Sequence, residues 1–242
     1  HIVIPARFKS TRLPGKPLLE IHGKPMILWV AEKARAADFA DDMCIATDDK
    51  RIAKLCLEAG FEVVMTRHDH ASGTDRLAEV AAIKGWGKED IVINMQGDEP
   101  LVPPLLLEQV KTLLVKDSAS VMATLYEPIE DFESFMRPSV VKVVNATVNQ
   151  QQRALYFSRA TVPSHSGPHY HHIGIYAFRR QALETFVKLP RGRLEKQEKL
   201  EQLRALEAGM RIDARLVDTV PLGVDTPAAL ERARELLAPG GT

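Results

Sequence analysis

The sequence predicts an α/β fold, a mostly parallel sheet with helices on both faces and a mixed or antiparallel extension. Three observations carry this. Strand-like and helix-like patterns alternate over the first half of the chain, as they do in parallel βαβ units. Two of the strand runs, Ile2-Val3-Ile4 and Ile91-Val92-Ile93, are apolar at every position, as strands covered on both faces must be. Beyond about Val121 the strands follow one another with little helix between them, and this segment is the extension.

The elements follow in order. Ile2 to Pro5 is the first strand, and Met26 to about Arg35 has a helical pattern. Met43 to Thr47 is a strand closed by Asp48-Asp49. Ile52, Leu55, Cys56 and Ala59 lie at i, i+3, i+4 and i+7, one face of a helix that Gly60 terminates. Phe61 to Met65 is a strand. Ser72 and Asp75 form a capping box for a helix through about Lys84. Asp90 to Met95 is a strand and Pro103 to Val115 a helix. Strands follow at Val121 to Leu125, Val140 to Val144, Arg153 to Phe157 and Ile173 to Phe178, then helices at about Arg193 to Ala208 and Thr226 to Leu237. Without a repeat, a low-complexity tract or a clear linker, the 242 residues read as one domain, 1–242, with an inserted subregion at about 121–180 that carries a second subsite.

Composition narrows the function. Lys plus Arg equals Asp plus Glu at 32 each, so the chain lacks the basic excess of a polyanion binder and no nucleic acid partner is expected. No apolar run approaches the roughly 20 residues that span a bilayer, so no membrane association is expected either. The chain opens inside a strand-like run, so a leader peptide is not expected and a few residues before His1 are. Cys44 and Cys56 sit in apolar periodic segments and read as buried thiols of a reducing compartment, the cytoplasm.

In open α/β sheets ligands bind at the carboxyl ends of the strands. Four polar stretches fall there: after Ile4, after Thr47, after Met95 and before Thr226. The first, Pro5 to Pro17, brings Arg7, Lys9, Arg12 and Lys16 between a strand and a helix. Pro14-Gly15 suits the centre of a type II turn that would hold Lys16 at a fixed angle. Arg offers phosphate a bidentate fork and Lys a point charge. One such pair at about 4 Å and an effective dielectric near 20 is worth on the order of 4 kcal/mol before desolvation. The loop matches neither a Walker A motif nor a GxGxxG fingerprint. The second stretch, Asn94 to Pro100, sets an acidic pair after a buried strand, with Gly97 permitting a sharp turn; such a pair can hold a hard cation such as Mg²⁺. In the third, Gly223 to Pro227, Thr226 reads as an N-cap and Pro227 as the first helical residue, which leaves Asp225 free to face a ligand.

These motifs, in this order, carry a resemblance. RFKSTRLPGKPL (Arg7–Leu18), QGDEP (Gln96–Pro100), YFSRA (Tyr156–Ala160), HIGIYAFR (His172–Arg179), LEQLR (Leu200–Arg204) and GVDTP (Gly223–Pro227) resemble the 3-deoxy-manno-octulosonate (Kdo) cytidylyltransferases over nearly the whole chain. The resemblance implies a Rossmann-like fold of the nucleotide-diphospho-sugar transferase type. It implies transfer of CMP from CTP to the anomeric hydroxyl of Kdo for lipopolysaccharide synthesis, with Mg²⁺ and as a homodimer. It places Arg7, Arg12 and Lys16 on the CTP phosphates, and Asp98 and Asp225 on magnesium. Lys16, Arg12, Asp98 and Asp225 are then the catalytic set. The nucleotide is held by Ala6, Arg7, Arg12, Lys16, Arg67, Ser72, Gly73, Gln96 and Asp98, and the acid sugar by Gln96, Arg159, His172, Tyr176, Glu201 and Gln202.

The residues bear on part of this directly. In a strand, His172, Gly174 and Tyr176 share one face, a polar face with a glycine gap beside it. In a helix, Glu198, Glu201 and Gln202 lie at i, i+3 and i+4. One departure from the family lies between Pro163 and His172, where the segment is shorter than the family's loop, as if residues of that loop were missing. Its histidines, His165, His169, His171 and His172, fit no zinc spacing. Three alternatives remain: the same transfer to 8-amino-Kdo, the same transfer to sialic acid, and a nucleotide-binding module without catalysis. The Ser10 to Lys16 wording favours Kdo over sialic acid, and the presence of both Asp98 and Asp225 argues against a mere binder.

Overall fold

The apolar run at the start of the chain forms β1 (Ile2–Ala6), whose first three residues are fully buried. Around it lie β2 (Glu20–Ile21) and β3 (Lys24–Pro25), a small hairpin, then α1 (Met26–Arg35), β4 (Met43–Thr47), α2 (Lys50–Glu58), β5 (Val63–Met65), α3 (Gly73–Lys84) and β6 (Ile91–Asn94). The computed structural model describes residues 1–8, 13–164, 167–219 and 221–238. It divides into two compact units, one of His1–Gly87, Val92–Glu108 and Pro221–Thr242, the other of Lys88–Ile91 and Gln109–Val220.

In the first unit β5, β4, β1 and β6 lie side by side, all parallel, with Ala6 opposite Thr47 and Ile2 opposite Ile93. The carboxyl ends of β1 and β4 are therefore level. Local chemistry closes the helices that follow. The Asp49 side chain accepts from the backbone of Arg51 and Ile52 at the start of α2. Ser72 and Asp75 make the expected capping box on α3.

The helix α4 (Pro104–Lys116) leads into the second unit. There follow β7 (Met122–Pro128), α5 (Phe132–Met136), β8 (Lys142–Val148), β9 (Gln151–Ser158), β10 (Tyr170–Arg179), α6 (Arg180–Lys188), α7 (Arg193–Glu198), α8 (Leu203–Glu207) and β11 (Ile212–Leu216). The order is β10-β7-β11-β9-β8, and a further pairing of β10 with β8 closes it on itself. Only β11 runs parallel to β7; the remaining neighbours are antiparallel. This is the mixed extension that the sequence predicts. The chain ends in α9 (Pro227–Leu236) of the first unit, with Thr226 as its N-cap and Pro227 in its first turn.

One element is corrected. The helix expected over Arg193 to Ala208 is broken, because Lys199 takes the left-handed conformation at φ 56°. The break lets Arg204 donate twice to the buried Glu195 carboxylate at 2.8 Å. Nine residues apart on one straight helix, the two would be separated by about 13 Å of axial rise. Glu198, Glu201 and Gln202 consequently do not share a helix face: Glu198 ends α7, while Glu201 and Gln202 lie in the turn before α8. The sequence reading also omits α6 and β11, although Ala182, Leu183 and Phe186 have helical spacing and Ile212, Ala214 and Leu216 alternate.

Candidate active site

The loop after β1 closes on a turn. Gly15 has φ 68°, and the Lys16 N–H donates to the Leu13 carbonyl at 3.2 Å, as a type II turn over Pro14-Gly15 requires. Leu13 is buried in an apolar cluster with Ile21, Met26, Val224, Leu230 and Ala233. Val224 in turn donates its backbone N–H to the Asp98 carbonyl at 2.8 Å. Apolar packing thus holds Leu13 and Val224 in one core, and Lys16 and Asp225 emerge from it close together.

The result is a three-residue constellation from distant parts of the chain. The Lys16 ammonium donates to Asp98 Oδ2 at 2.6 Å and to Asp225 Oδ1 at 2.5 Å. Burial alone would lower the Lys16 pKa, but the Asp98 charge and the bonds to both carboxylates outweigh it and the net shift is upward. Burial, joined by the neighbouring Asp225, pushes the Asp98 carboxyl up against the opposing pull of Lys16. Glu99 is buried next to them, and burial, Asp98 and Asp225 together push it up to about 8. Among the described residues its Oε2 has no hydrogen-bond partner.

Gly97 forms the turn that presents Asp98. A Cβ there would stand 2.8 Å from the Pro5 carbonyl oxygen, so only glycine allows this approach to the end of β1. Gly97→Ala is expected to destabilise the fold by about 2 kcal/mol, read as a lowered thermal midpoint, because the clash is with backbone.

The other nucleotide residues of the sequence reading also belong to the first unit. Ala6 ends β1 and is buried. Gly73 starts α3 against the Pro5 ring, 3.4 Å from where its Cβ would be. The Ser72 hydroxyl is already engaged, donating to Asp75 Oδ2 at 2.9 Å. Gln96 leads into the turn at Gly97. Arg67 is exposed; its backbone N–H donates to Glu79 at 3.0 Å and its side chain reaches Asp69 at 3.4 Å. Arg12 lies outside the described residues, as do His165 and Ser166.

One supporting residue escaped the sequence reading. Arg76 is buried, pairs with Asp48 at 3.1 Å and donates to Thr66 Oγ1. Burial lowers its pKa, and the nearby Arg7 charge acts in the same direction. It ties α3 to the ends of β4 and β5. The only signal is a charged residue beside Leu77 and Val80 on the buried face of α3.

Apart from Gln96, the residues predicted for the sugar belong to the second unit. His172 and Tyr176 do share a side of β10, with ring centroids 5.3 Å apart. His172 itself is buried, edge-on to Phe157 at 4.9 Å, while Gly174 and Tyr176 are only partly buried. The Thr124 hydroxyl donates to the carbonyls of Ile173 or Ile175, so His172 Nε2, 3.0 Å away, is the donor toward Thr124 Oγ1. Burial, with the His171 charge, pushes the His172 pKa down to about 3. Tyr176 is driven well above its usual value by burial and then by Glu201, against the opposing pull of a hydrogen bond with Thr124. Gln202 is buried, and Arg204 reaches Glu201 Oε1 at 3.5 Å. Arg159 stands at the end of β9 and donates to the carbonyls of Glu198 and Pro138, each at 3.0 Å.

The His172 shift sets a pH dependence. The folded protein keeps this ring neutral, whereas the unfolded chain takes up a proton below about 6.5. The contribution is complete above that pH and is lost as pH falls from 6.5 toward 3, by about 1.4 kcal/mol per unit. Between pH 7 and 5 the wild type is expected to lose about 2 kcal/mol more than His172→Gln, measured by urea unfolding at both pH values.

A magnesium ion fits the Asp98 and Asp225 carboxylates on chemical grounds. They are hard oxygen donors that already converge on one positive charge. Among the described residues no group of three His, Cys, Asp or Glu side chains could hold a metal, so phosphate oxygens and water would complete the shell.

The chain is similar to known proteins over nearly its whole length. The cytidylyltransferase family model matches residues 1–212. The chain is 67% identical to a 3-deoxy-manno-octulosonate cytidylyltransferase of Psychrobacter cryohalolentis, covering 96% of this chain and 92% of that protein. It is 51% identical to the protein of the same name from Acinetobacter baumannii strain AYE, covering 98% and 97% respectively. A solved structure of CMP:2-keto-3-deoxy-manno-octonic acid synthetase complexed with CTP superposes with a TM-score of 0.91 at 45% identity, covering 98% of this chain and 97% of that one.

Proposed function

The chain belongs to the 3-deoxy-manno-octulosonate cytidylyltransferases, within the cytidylyltransferase family, and from this premise we propose that it transfers CMP from CTP to the anomeric hydroxyl of Kdo, giving CMP-Kdo and pyrophosphate for lipopolysaccharide synthesis. The observation that carries the reading is the meeting of Lys16, Asp98 and Asp225 beside the basic loop.

The Kdo hydroxyl attacks the α-phosphorus in line and pyrophosphate departs. Asp98 and Asp225 would hold Mg²⁺, which would acidify the attacking hydroxyl and offset charge on the α-phosphate. Lys16, with Arg7 and Arg12, holds the β- and γ-phosphates and stabilises the charge that develops on the leaving group. Ala6, Arg67, Ser72, Gly73 and Gln96 hold the cytosine and ribose. Arg159 takes the sugar carboxylate, since its fork matches carboxylate geometry. Gln96, His172, Tyr176, Glu201 and Gln202 take the hydroxyls; His172, neutral by burial, serves as a hydrogen-bonding group and not as a charge.

Two further features belong to the proposal. The protein works in the cytoplasm, which its two free, buried cysteines support. Burial raises their thiols to about 12 at Cys44 and about 11 at Cys56, so both stay protonated and inert. Among the described residues no helix is long and apolar enough to cross a membrane. It also works as a homodimer, supported by the exposed apolar side chains of Phe132, Met136 and Leu155 in the 121–180 subregion.

Pyrophosphate release from CTP, with and without Mg²⁺, tests the function. Release with Kdo that requires Mg²⁺ supports it. Preferential release with 8-amino-Kdo or sialic acid would replace the substrate and keep the chemistry. CTP binding with no release on any of the three would reduce the chain to a nucleotide-binding module.

A further inference from the structure

Arg159 is held at four places by its own unit. Its backbone N–H donates to Glu198 Oε2 at 2.9 Å, and its carbonyl accepts from Lys142 Nζ at 3.1 Å. Its Nε donates to the Glu198 carbonyl and its Nη1 to the Pro138 carbonyl, both at 3.0 Å. Its Nη2 has no partner among the described residues, so the outer edge of the guanidinium is left to receive an anion end-on.

The two groups that grip its backbone are both charged, which is more than a turn needs. Lys142 is wholly buried, and its ammonium spends its three protons on the carbonyls of Arg137 (2.9 Å), Val140 (2.7 Å) and Arg159 (3.1 Å). It thereby fixes the segment that supplies the Pro138 carbonyl as well. The Glu198 carboxylate bonds one oxygen to the Arg159 N–H and the other to the Ser158 hydroxyl at 2.8 Å. The Glu198 carboxylate also accepts from the Tyr156 hydroxyl at 3.4 Å, and both residues direct these bonds to Arg159 and the segments beside it.

We propose that Lys142 and Glu198 are positioning residues that hold Arg159 ready for the carboxylate of the acid sugar. The inference rests on the assignment of Arg159 to that carboxylate. Binding an anion with a free arginine side chain costs the rotamer freedom of that side chain, and here the freedom is given up on folding. Burial and then the Arg159 charge lower the Lys142 pKa, and Glu198 acts in the opposite direction.

The test compares Kdo with its C1 amide, which keeps the shape and loses the charge. Turnover over KM is measured for both substrates in the wild type, Arg159→Ala, Lys142→Met, Glu198→Gln and the double variant Arg159→Ala with Lys142→Met. Each single variant is expected to lose at least about tenfold of the preference for the acid, with the KM for CTP unchanged. In the Arg159→Ala background, Lys142→Met is expected to cost nothing more, because it acts through Arg159. Retention of the preference in Lys142→Met or Glu198→Gln, or an equal cost of Lys142→Met in both backgrounds, overturns the proposal. If Arg159→Ala itself keeps the preference, the carboxylate assignment is what fails. Should Lys142→Met not fold, Glu198→Gln, at a half-buried position, decides alone.

Discussion

Asp98→Asn is expected to lower turnover by about a thousandfold, the scale on which loss of one preorganised electrostatic group acts in a dry site. The fold should survive. Asn has the same shape, its side-chain oxygen can still accept from the Lys16 ammonium, and Lys16 keeps its 2.5 Å bond to Asp225. Asp98 is moreover a carboxylate that burial already pushes toward its neutral form, so removing the charge costs the apo protein little. Stability should stay within about 1 kcal/mol of the wild type. The loss falls on chemistry because the hard donor set drops from two carboxylates to one, and the magnesium concentration giving half-maximal turnover should rise with it. Turnover within tenfold of the wild type would remove Asp98 from the metal role.

Lys16→Ala should be nearly as damaging, about a hundredfold or more in turnover over KM for CTP, but with a different signature. The ammonium bridges Asp98 and Asp225. Without it the two carboxylates lose the donor that both accept from in the metal-free protein. The side-chain exposures of 13% for Lys16, 27% for Asp98 and 41% for Asp225 mean that solvent screens part of this, so the cost should be about 1–2 kcal/mol, below that of a fully buried broken pair. Magnesium added without nucleotide should then raise the melting temperature of Lys16→Ala more than that of the wild type. In the wild type Lys16 already neutralises the carboxylates and competes with the ion. Equal magnesium-induced shifts would mean that the ion does not use these two carboxylates. The two variants therefore separate the roles: Asp98→Asn loses chemistry with stability kept, and Lys16→Ala loses nucleotide grip and apo stability together.

Much of the first unit was legible. Ile2-Val3-Ile4 had to be covered on both faces, and β1 lies between two parallel neighbours. Ser72, Asp75, Thr226 and Pro14-Gly15 each do what their local chemistry announces. The second unit was less legible where distant groups override a local pattern. The stretch from Arg193 to Ala208 has the composition of one helix, but a bidentate pair of Glu195 with Arg204 and the bonds of Glu198 to β9 hold it as two. The polar alternation around His172 suggested an open face, whereas His172 itself is enclosed by Phe157 and Thr124 and its burial takes away its charge.

By itself the sequence determined the residue chemistry of the loop from Pro5 to Pro17 and of the two aspartate turns, because caps, turns and apolar runs act over a few residues. Only the tertiary structure decided that Lys16 meets Asp98, 82 residues away, and Asp225, 209 residues away. That meeting depends on Leu13 and Val224 sharing one core and on Val224 bonding to the Asp98 carbonyl. The pinning of Arg159 by Lys142 and Glu198 was likewise beyond the sequence. The free energy of such contacts comes from burial and hydrogen bonds between segments whose spacing along the chain carries no trace of their nearness in space.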